Sequence, residues 1–87
     1  MVVRGEVNSP AALGRMLQQG RLVSGWTQRE LAERLHTDQK YVWSLEAGKD
    51  SIVLERIFEI MRQTGLRMYL EVESPPSEAD PPEAPHG

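Results

Sequence analysis

Side chains that could perform acid–base, metal or nucleophilic chemistry occur in this sequence, but they are not grouped as such chemistry requires. The two histidines, His36 and His86, lie far apart, and the chain has no cysteine, so no zinc-type ligand set is evident. No Ser-His-Asp grouping and no phosphate-binding glycine loop occurs. The glutamates at helical spacing are expected to be solvated charges on outer helix faces: Glu30, Glu33, Glu55 and Glu59. We therefore expect no enzymatic activity, no cofactor and no metal.

Polar and cationic side chains can also hydrogen-bond to nucleic acid. Gln39 and Lys40 are adjacent in the sequence. The amide of a glutamine can pair with adenine through two hydrogen bonds, and a lysine can donate to O6 and N7 of guanine. Side chains read bases in this way only when a rigid element carries them into a groove of the duplex. Whether Gln39 and Lys40 could read bases therefore depends on the helices that surround them.

Four helices are predicted between residues 9 and 65, each beginning at a capping residue. Pro10 follows Ser9 and suits the first position of a helix, because its missing N–H is not needed there. Thr27 and Glu30 can form a capping box, in which each side chain accepts a hydrogen bond from the other's backbone N–H. The predicted N-caps, in chain order, are Ser9, Thr27, Thr37 or Asp38, and Asp50 or Ser51. The predicted helix ends lie near Gly25, Leu35, Gly48 and Gly65.

A single strand is predicted at 66–73, where apolar and polar residues alternate as in a half-buried strand. An isolated strand leaves backbone N–H and C=O groups unpaired, so it needs a partner. We expect the partner to be the same strand of a second copy, paired antiparallel across a two-fold axis. The expected dimerisation residues are Met68, Tyr69, Leu70 and Val72. The second choice is a strand at the N-terminus of the same chain, formed through Val2, Val3 and Val7.

Length and charge allow one small domain followed by a polar tail. The chain has 87 residues and a net charge of -3. Residues 1–73 carry ten basic and ten acidic residues and are therefore neutral, so all of the net charge comes from the tail at 74–87. The tail also holds five of the six prolines and no large apolar side chain, so we expect it to be disordered.

The neutral charge of 1–73 means that any affinity for DNA must come from local placement of cations and helix dipoles. No apolar stretch of the sequence is long enough to span a membrane. The absence of cysteine fits a reducing compartment, so we expect a cytoplasmic protein.

The second and third predicted helices, joined by a short turn, have the arrangement that places a recognition helix in the major groove of DNA. Two stretches of sequence bracket this pair: GWTQRELA at 25–32 and LEAGK at 45–49. They resemble the phage-repressor-like, or XRE-type, helix-turn-helix family, in which a G-x-T-Q-x-x-L-A opening and an L/I-E-x-G-K/R ending enclose the motif. The resemblance covers about residues 13–64.

This resemblance implies roles for individual residues. Gln28 would bind a phosphate at the amino end of the second helix, and Lys49 would bind a flanking phosphate. Arg21 and Glu46 match a largely buried salt bridge that orients the recognition helix. The residues implied to read base edges are Gln39, Lys40, Tyr41 and Ser44. The full implied DNA-binding set is Thr27, Gln28, Gln39, Lys40, Tyr41, Ser44 and Lys49.

A narrower resemblance is to HipB-type antitoxins. It rests on the start Ser9-Pro10, the run at 25–28 and the passage GLRMYL at 65–70 from a helix into a strand. It implies a homodimer that binds palindromic double-stranded DNA, represses its own operon and inhibits a HipA-like serine/threonine kinase toxin. The tail would then be a degradation handle. The implied fold is mainly α: a four- to five-helix repressor-like domain at 9–65, between an N-terminal arm at 1–8 and a dimerisation strand at 66–73.

Two other functions stay open at this point. One is a free-standing XRE-type transcriptional regulator without a toxin partner. The other is a protein-interaction module that has lost DNA binding, which the neutral charge and Trp43 in the recognition helix favour. Trp43 itself has three possible places: a protein interface, the DNA backbone, or packing on the fourth helix.

Overall fold

The computed structural model describes residues 2–49 and 51–73, which form four helices and a two-stranded sheet. In chain order the elements are β1 (Val2–Glu6), α1 (Pro10–Val23), α2 (Gln28–Arg34), α3 (Gln39–Ala47), α4 (Ile52–Thr64) and β2 (Tyr69–Glu73). The mainly helical fold expected from the sequence is confirmed. The predicted disordered tail at 74–87 lies outside the described residues. None of the described helices is long and apolar enough to cross a membrane.

Each helix begins where a side-chain oxygen accepts a backbone N–H that the helix itself leaves unpaired. Ser9 and Ser51 each accept from the N–H three residues further on, at 3.1 Å. At α3 the cap is Asp38 rather than Thr37, and its carboxylate accepts from the N–H of Tyr41 at 2.8 Å. The capping box of α2 is formed, with both reciprocal bonds at 3.0 Å. These caps confirm the predicted helix starts. Such starts can be predicted because capping depends on residues that are close in sequence.

The C-terminal strand finds its partner within its own chain. β2 pairs antiparallel with β1, with Val3 opposite Val72. The strand therefore does not need a second copy as its partner, and the second choice, a strand at the N-terminus of the same chain, is the one found. The dimerisation residues Met68, Tyr69, Leu70 and Val72 stay a prediction. The physical reason lies just after β1: Val7 is fully buried, and its N–H donates to the Met68 carbonyl at 2.8 Å. Burying this side chain draws the arm onto the domain beside β2.

The main core lies between the sheet, α1 and α4. Its buried members are Val7, Ala12, Phe58 and Met61, and partly buried side chains surround them: Leu13, Met16, Leu54, Met68 and Leu70. Met68 and Leu70 thus pack against the core of their own chain. Tyr69 is 47% exposed on the outer face of the sheet, where the guanidinium of Arg4 lies 5.1 Å from the centre of its ring.

α3 lies against α1 in close backbone contact. Gly14 of α1 is buried, and a Cβ at this position would overlap the carbonyl oxygen of Glu46. Gly48, which follows α3, has a φ of 69°. A Cβ on Gly48 would lie 2.5 Å from the carbonyl carbon of Pro10. Two glycines therefore allow the C-terminal part of α3 to lie directly on α1.

Candidate DNA interface

α2 and α3 form the helix-turn-helix, and backbone hydrogen bonds fix the turn between them. His36 adopts a left-handed conformation with a φ of 57°. Its N–H donates to the Glu33 carbonyl at 3.2 Å, and the N–H of Thr37 donates to the Ala32 carbonyl at 2.9 Å. This pair of bonds is the Schellman arrangement that ends many helices. Because Asp38 then caps α3, the turn sets the angle between the two helices.

α3 has one buried side and one polar side. Val42 is 1% exposed and faces the interior. Gln39, Lys40 and Tyr41 are exposed, and Ser44 is half-buried. The helical repeat puts Lys40 and Ser44 on one face, opposite Val42. The structure thus brings the base-reading residues expected from the sequence together on one rigid helix, where their own chain leaves them accessible.

Arg21 of α1 and Glu46 of α3 form a two-pronged ion pair. Arg21 Nε donates to Glu46 Oε2 at 2.6 Å, and Nη2 donates to Oε1 at 3.0 Å. The two side chains are only 9% and 6% exposed. The guanidinium also donates from Nη1 to the Trp26 carbonyl at 2.9 Å. A single arginine thus joins α1, the segment before α2, and α3.

Both partners of this ion pair are held in their charged forms. Burial acts to raise the pKa of Glu46, but the hydrogen bonds from Arg21 and Gln28 and the nearby positive charge outweigh it, so the pKa lies below its usual range. The hydrogen bond to Glu46 raises the pKa of Arg21, against the effect of burial. The charge-assisted bonds therefore remain in place at neutral pH.

A chain of hydrogen bonds leads from the ion pair to the first residue of α3. Gln28 Nε2 donates to Glu46 Oε1 at 3.2 Å, and Gln39 Nε2 donates to Gln28 Oε1 at 3.4 Å. Because the carboxylate can only accept, it fixes which end of the Gln28 amide faces Gln39. Gln39 keeps its Oε1 and one N–H, which are the groups an adenine edge requires.

Sequence reasoning assigned Gln28 to a phosphate and missed this bridging position. The side-chain contact depends on rotamers of two helices, and no spacing in the sequence shows it. Thr27, also expected at the interface, lies exposed beside Gln28, and its hydroxyl oxygen accepts from the Glu30 N–H at 3.0 Å. The amino end of α2 is therefore accessible at Thr27 and internally bonded at Gln28.

The side chain of Lys49, which follows the C-terminal end of α3, lies against Trp43 in the middle of that helix. The N–H of Lys49 donates to the Ser44 carbonyl at 3.1 Å, which closes the end of the helix. Its ammonium lies 5.1 Å from the centre of the Trp43 ring, within the range of a cation–π contact. Trp43 is 48% exposed and lines a small pocket with Gln28 and Ala47. Trp43 thus lies beside Gln28 and Lys49, two residues that are expected to contact phosphate.

Within the described residues, no three histidine, cysteine, aspartate or glutamate side chains come together as metal ligands. Every buried side-chain nitrogen or oxygen of that part has a hydrogen-bond partner. The polar side chains of α3 and of the amino end of α2 thus form the candidate site, and the chemistry it offers is hydrogen bonding and charge.

Comparison with known proteins agrees with this geometry. The family model described as Helix-turn-helix matches residues 17–69. The chain is similar to the antitoxin HipB of Escherichia coli strain K12, with 31% identity over 65 residues, which cover 75% of this chain and 74% of that protein. It is equally similar to the antitoxin HipB of Escherichia coli O6:H1 strain CFT073, with 31% identity over 65 residues, covering 75% of this chain and 69% of the relative. No solved structure matches with comparable significance.

Proposed function

Since the chain belongs to the Helix-turn-helix family, as an XRE-type member similar to HipB antitoxins, we propose that it reads a specific DNA sequence with α3 and represses its own operon. The observation that carries this proposal is the accessible polar side of α3, held on α1 by a buried ion pair. A rigid recognition helix is what sequence-specific contact in the major groove requires.

We assign base reading to Gln39, Lys40, Tyr41 and Ser44. Gln39 would pair with adenine and Lys40 with guanine. We assign phosphate contacts to the amino end of α2 and to the exposed cation two residues after α3. The residues in these two places are Thr27, Gln28 and Lys49.

We further propose that the protein acts as a homodimer on a palindrome. One α3 covers only a half-site, and residues 1–73 carry as many acidic as basic residues, so a single copy lacks the general positive field that strengthens binding to DNA. Two copies related by a two-fold axis would place their recognition helices about 34 Å apart, in successive major grooves.

The proposed partner besides DNA is a toxin of the HipA-like serine/threonine kinase class. The support is the similarity over three quarters of the chain to two relatives named antitoxin HipB. The test is co-expression of this chain with the product of the neighbouring gene, followed by purification of either protein. Growth rescue and a stable complex support the antitoxin function. Specific DNA binding without a toxin would instead favour a free-standing regulator.

DNA binding is tested by titrating the chain against its own promoter and against random duplex at several salt concentrations. Lys40→Ala is expected to weaken specific binding by about 1–3 kcal/mol and to relax the preference at one base pair. Lys49→Ala is expected to weaken binding to all sequences alike and to lower the salt slope by about 1.

Arg67→Ala is the matched control, because it removes one positive charge at the sheet end of the molecule, beside Glu6. It is expected to leave both affinity and salt slope unchanged. If Lys40→Ala binds like the parent chain, Lys40 does not read bases. If the parent chain binds random and promoter DNA equally weakly, without dependence on salt, the chain is a protein-interaction module instead.

A further inference from the structure

Trp43 is an exposed aromatic residue of α3 to which the proposed function gives no role. Its side chain is 48% exposed. None of the side-chain hydrogen bonds around it, among the described residues, uses its indole N–H. Tryptophan is enriched at interfaces because one side chain offers both apolar area and a hydrogen-bond donor. Trp43 therefore presents an accessible ring surface and an accessible donor.

The helical repeat puts Trp43 on the edge of α3 that faces the amino end of α2. It lies one turn after Gln39, whose amide donates to Gln28. Trp43 and Gln28 line the same small pocket, together with Gln18 of α1. When a helix-turn-helix binds DNA, α3 enters the groove and the first helix of the motif crosses the backbone. The edge that carries Trp43 is therefore the edge nearest to a DNA strand.

The charges around Trp43 also suit a phosphate. The ammonium of Lys49 lies 5.1 Å from the centre of the Trp43 ring. The one carboxylate that lines the pocket belongs to Glu46, which is buried and paired with Arg21. The exposed charged residues from 39 to 49 are therefore both cationic: Lys40 and Lys49.

From this position we propose that Trp43 contacts the DNA backbone. Its ring packs against a deoxyribose, and its indole N–H donates to a phosphate oxygen beside the phosphate that Lys49 binds. The cation–π contact keeps the Lys49 ammonium next to the strand, so less side-chain freedom is lost on binding. The inference rests on the proposed function and adds to it a contact that does not depend on base sequence.

A DNA backbone fits this surface better than a protein partner does. The anchor site of a protein interface is typically an apolar patch from which charged residues are depleted. Beside Trp43, however, the pocket is lined by two glutamines, a paired carboxylate and Ala47. An apolar partner would cover the amide of Gln18 without giving it a hydrogen-bond partner, which is unfavourable. The oxygens of a phosphate can accept from such an amide.

The first test titrates two variants against the chain's own promoter and against random duplex. Trp43→Phe keeps a ring but loses the N–H, and it is expected to weaken binding by about tenfold, since the lost hydrogen bond goes to a charged group. The factor is expected to be the same for both duplexes. The salt slope is expected to stay unchanged, because no cation is removed. Trp43→Ala also loses the ring and is expected to bind more weakly than Trp43→Phe.

Leu66→Ala is the matched control for these variants. Leu66 is an exposed apolar residue, 64% exposed, that lies after the end of α4. Its replacement is expected to leave DNA affinity unchanged. The urea midpoint of Trp43→Phe is expected to equal that of the parent chain, because the replaced side chain is half exposed. Weaker binding at an unchanged midpoint then reports a lost contact and not a loss of folding.

The second test uses the fluorescence of the two tryptophans. Trp26→Phe leaves Trp43 as the single indole, and Trp43→Phe leaves Trp26, which is half-buried under the guanidinium of Arg34 at 4.1 Å. Acrylamide quenching is measured for each variant with and without random duplex. The duplex is expected to protect Trp43 from the quencher, because the strand covers its ring. It is expected to protect Trp26 less.

The outcomes separate this inference from the function on which it rests. If the parent chain binds promoter DNA and Trp43→Ala binds it equally well, the backbone contact alone is overturned. A Trp43→Ala chain that loses the preference at one base pair, or that loses only the product of the neighbouring gene, also overturns it. The first result would make Trp43 a base reader, and the second would place it in a protein interface. A parent chain that binds no duplex overturns both proposals.

Discussion

The ion pair between Arg21 and Glu46 allows a quantitative test of how α3 is held. Removing one partner of a buried ion pair costs about 3–5 kcal/mol, because the other charge stays buried without compensation. For about 70 ordered residues the whole free energy of unfolding is about 4–11 kcal/mol. Arg21→Met or Glu46→Leu alone should therefore remove a large part of the stability. The loss should appear as a lower urea midpoint at an unchanged slope.

The double variant, Arg21→Met with Glu46→Leu, should be far less damaging than the two single variants together. It leaves no unpaired buried charge, and the apolar side chains fill similar space. What it does lose is the donor to the Trp26 carbonyl and the acceptor for Gln28, each worth about 1 kcal/mol. The deficit of the double variant should be smaller than the sum of the single deficits by about 4 kcal/mol or more.

The exposed pair of Glu59 and Arg62 serves as the control for this cycle. Its N–O distance is 3.0 Å, yet the side chains are 53% and 57% exposed. Surface pairs of this kind are screened by solvent and contribute little to the free energy of unfolding. The corresponding double-mutant cycle at Glu59 and Arg62 should therefore give no coupling energy beyond experimental error. Additive losses at Arg21 and Glu46 would refute the reasoning, because they would show that the charges do not compensate each other in the folded state.

Three further predictions follow from other contacts. Gly14→Ala should destabilise the fold by about 1–3 kcal/mol, because its Cβ would overlap the Glu46 carbonyl; Gly20→Ala, with open space in the same helix, should instead stabilise by up to about 1 kcal/mol. His36→Gly should raise the unfolding temperature, because it relieves the left-handed strain of a non-glycine residue. The folded-state pKa of Glu46 lies below the usual 4.5. Its contribution to the free energy of unfolding is therefore present above pH 4.5 and is lost as the pH falls through the lowered pKa. Urea titrations below pH 4.5 should show that the Arg21→Met, Glu46→Leu double variant loses less stability than the parent chain.

The features that could be predicted from the sequence are mostly those set by neighbouring residues. The caps at Ser9 and at Thr27 with Glu30 follow from side-chain chemistry within one helical turn, and the structure has them. The polar side of α3 follows from helical periodicity around Val42. Local rules are enough in these cases because the interacting groups are held together by the chain itself.

The partner of β2 was ranked second among the expected partners, because strand pairing depends on contacts between distant parts of the chain. The five residues of β1 have little apolar alternation, and Gly5 is a poor strand former. In the fold, Gly5 lies close to α1, where an added Cβ would meet the Met16 sulfur at 3.6 Å. Tertiary packing therefore decides whether the partner strand comes from the same chain or from a second copy. The alternation of apolar and polar residues does not show that packing.

The backbone contact at Gly14 and Gly48 has a consequence for how such a protein changes its target during evolution. Two glycines, Val42 and the ion pair hold α3 in place, and none of these residues is exposed. Lys40, Tyr41 and Ser44 can then be exchanged without altering the support beneath them. If α3 reads DNA as proposed, new operators can be acquired by replacing a few outward side chains, while the same scaffold is inherited unchanged.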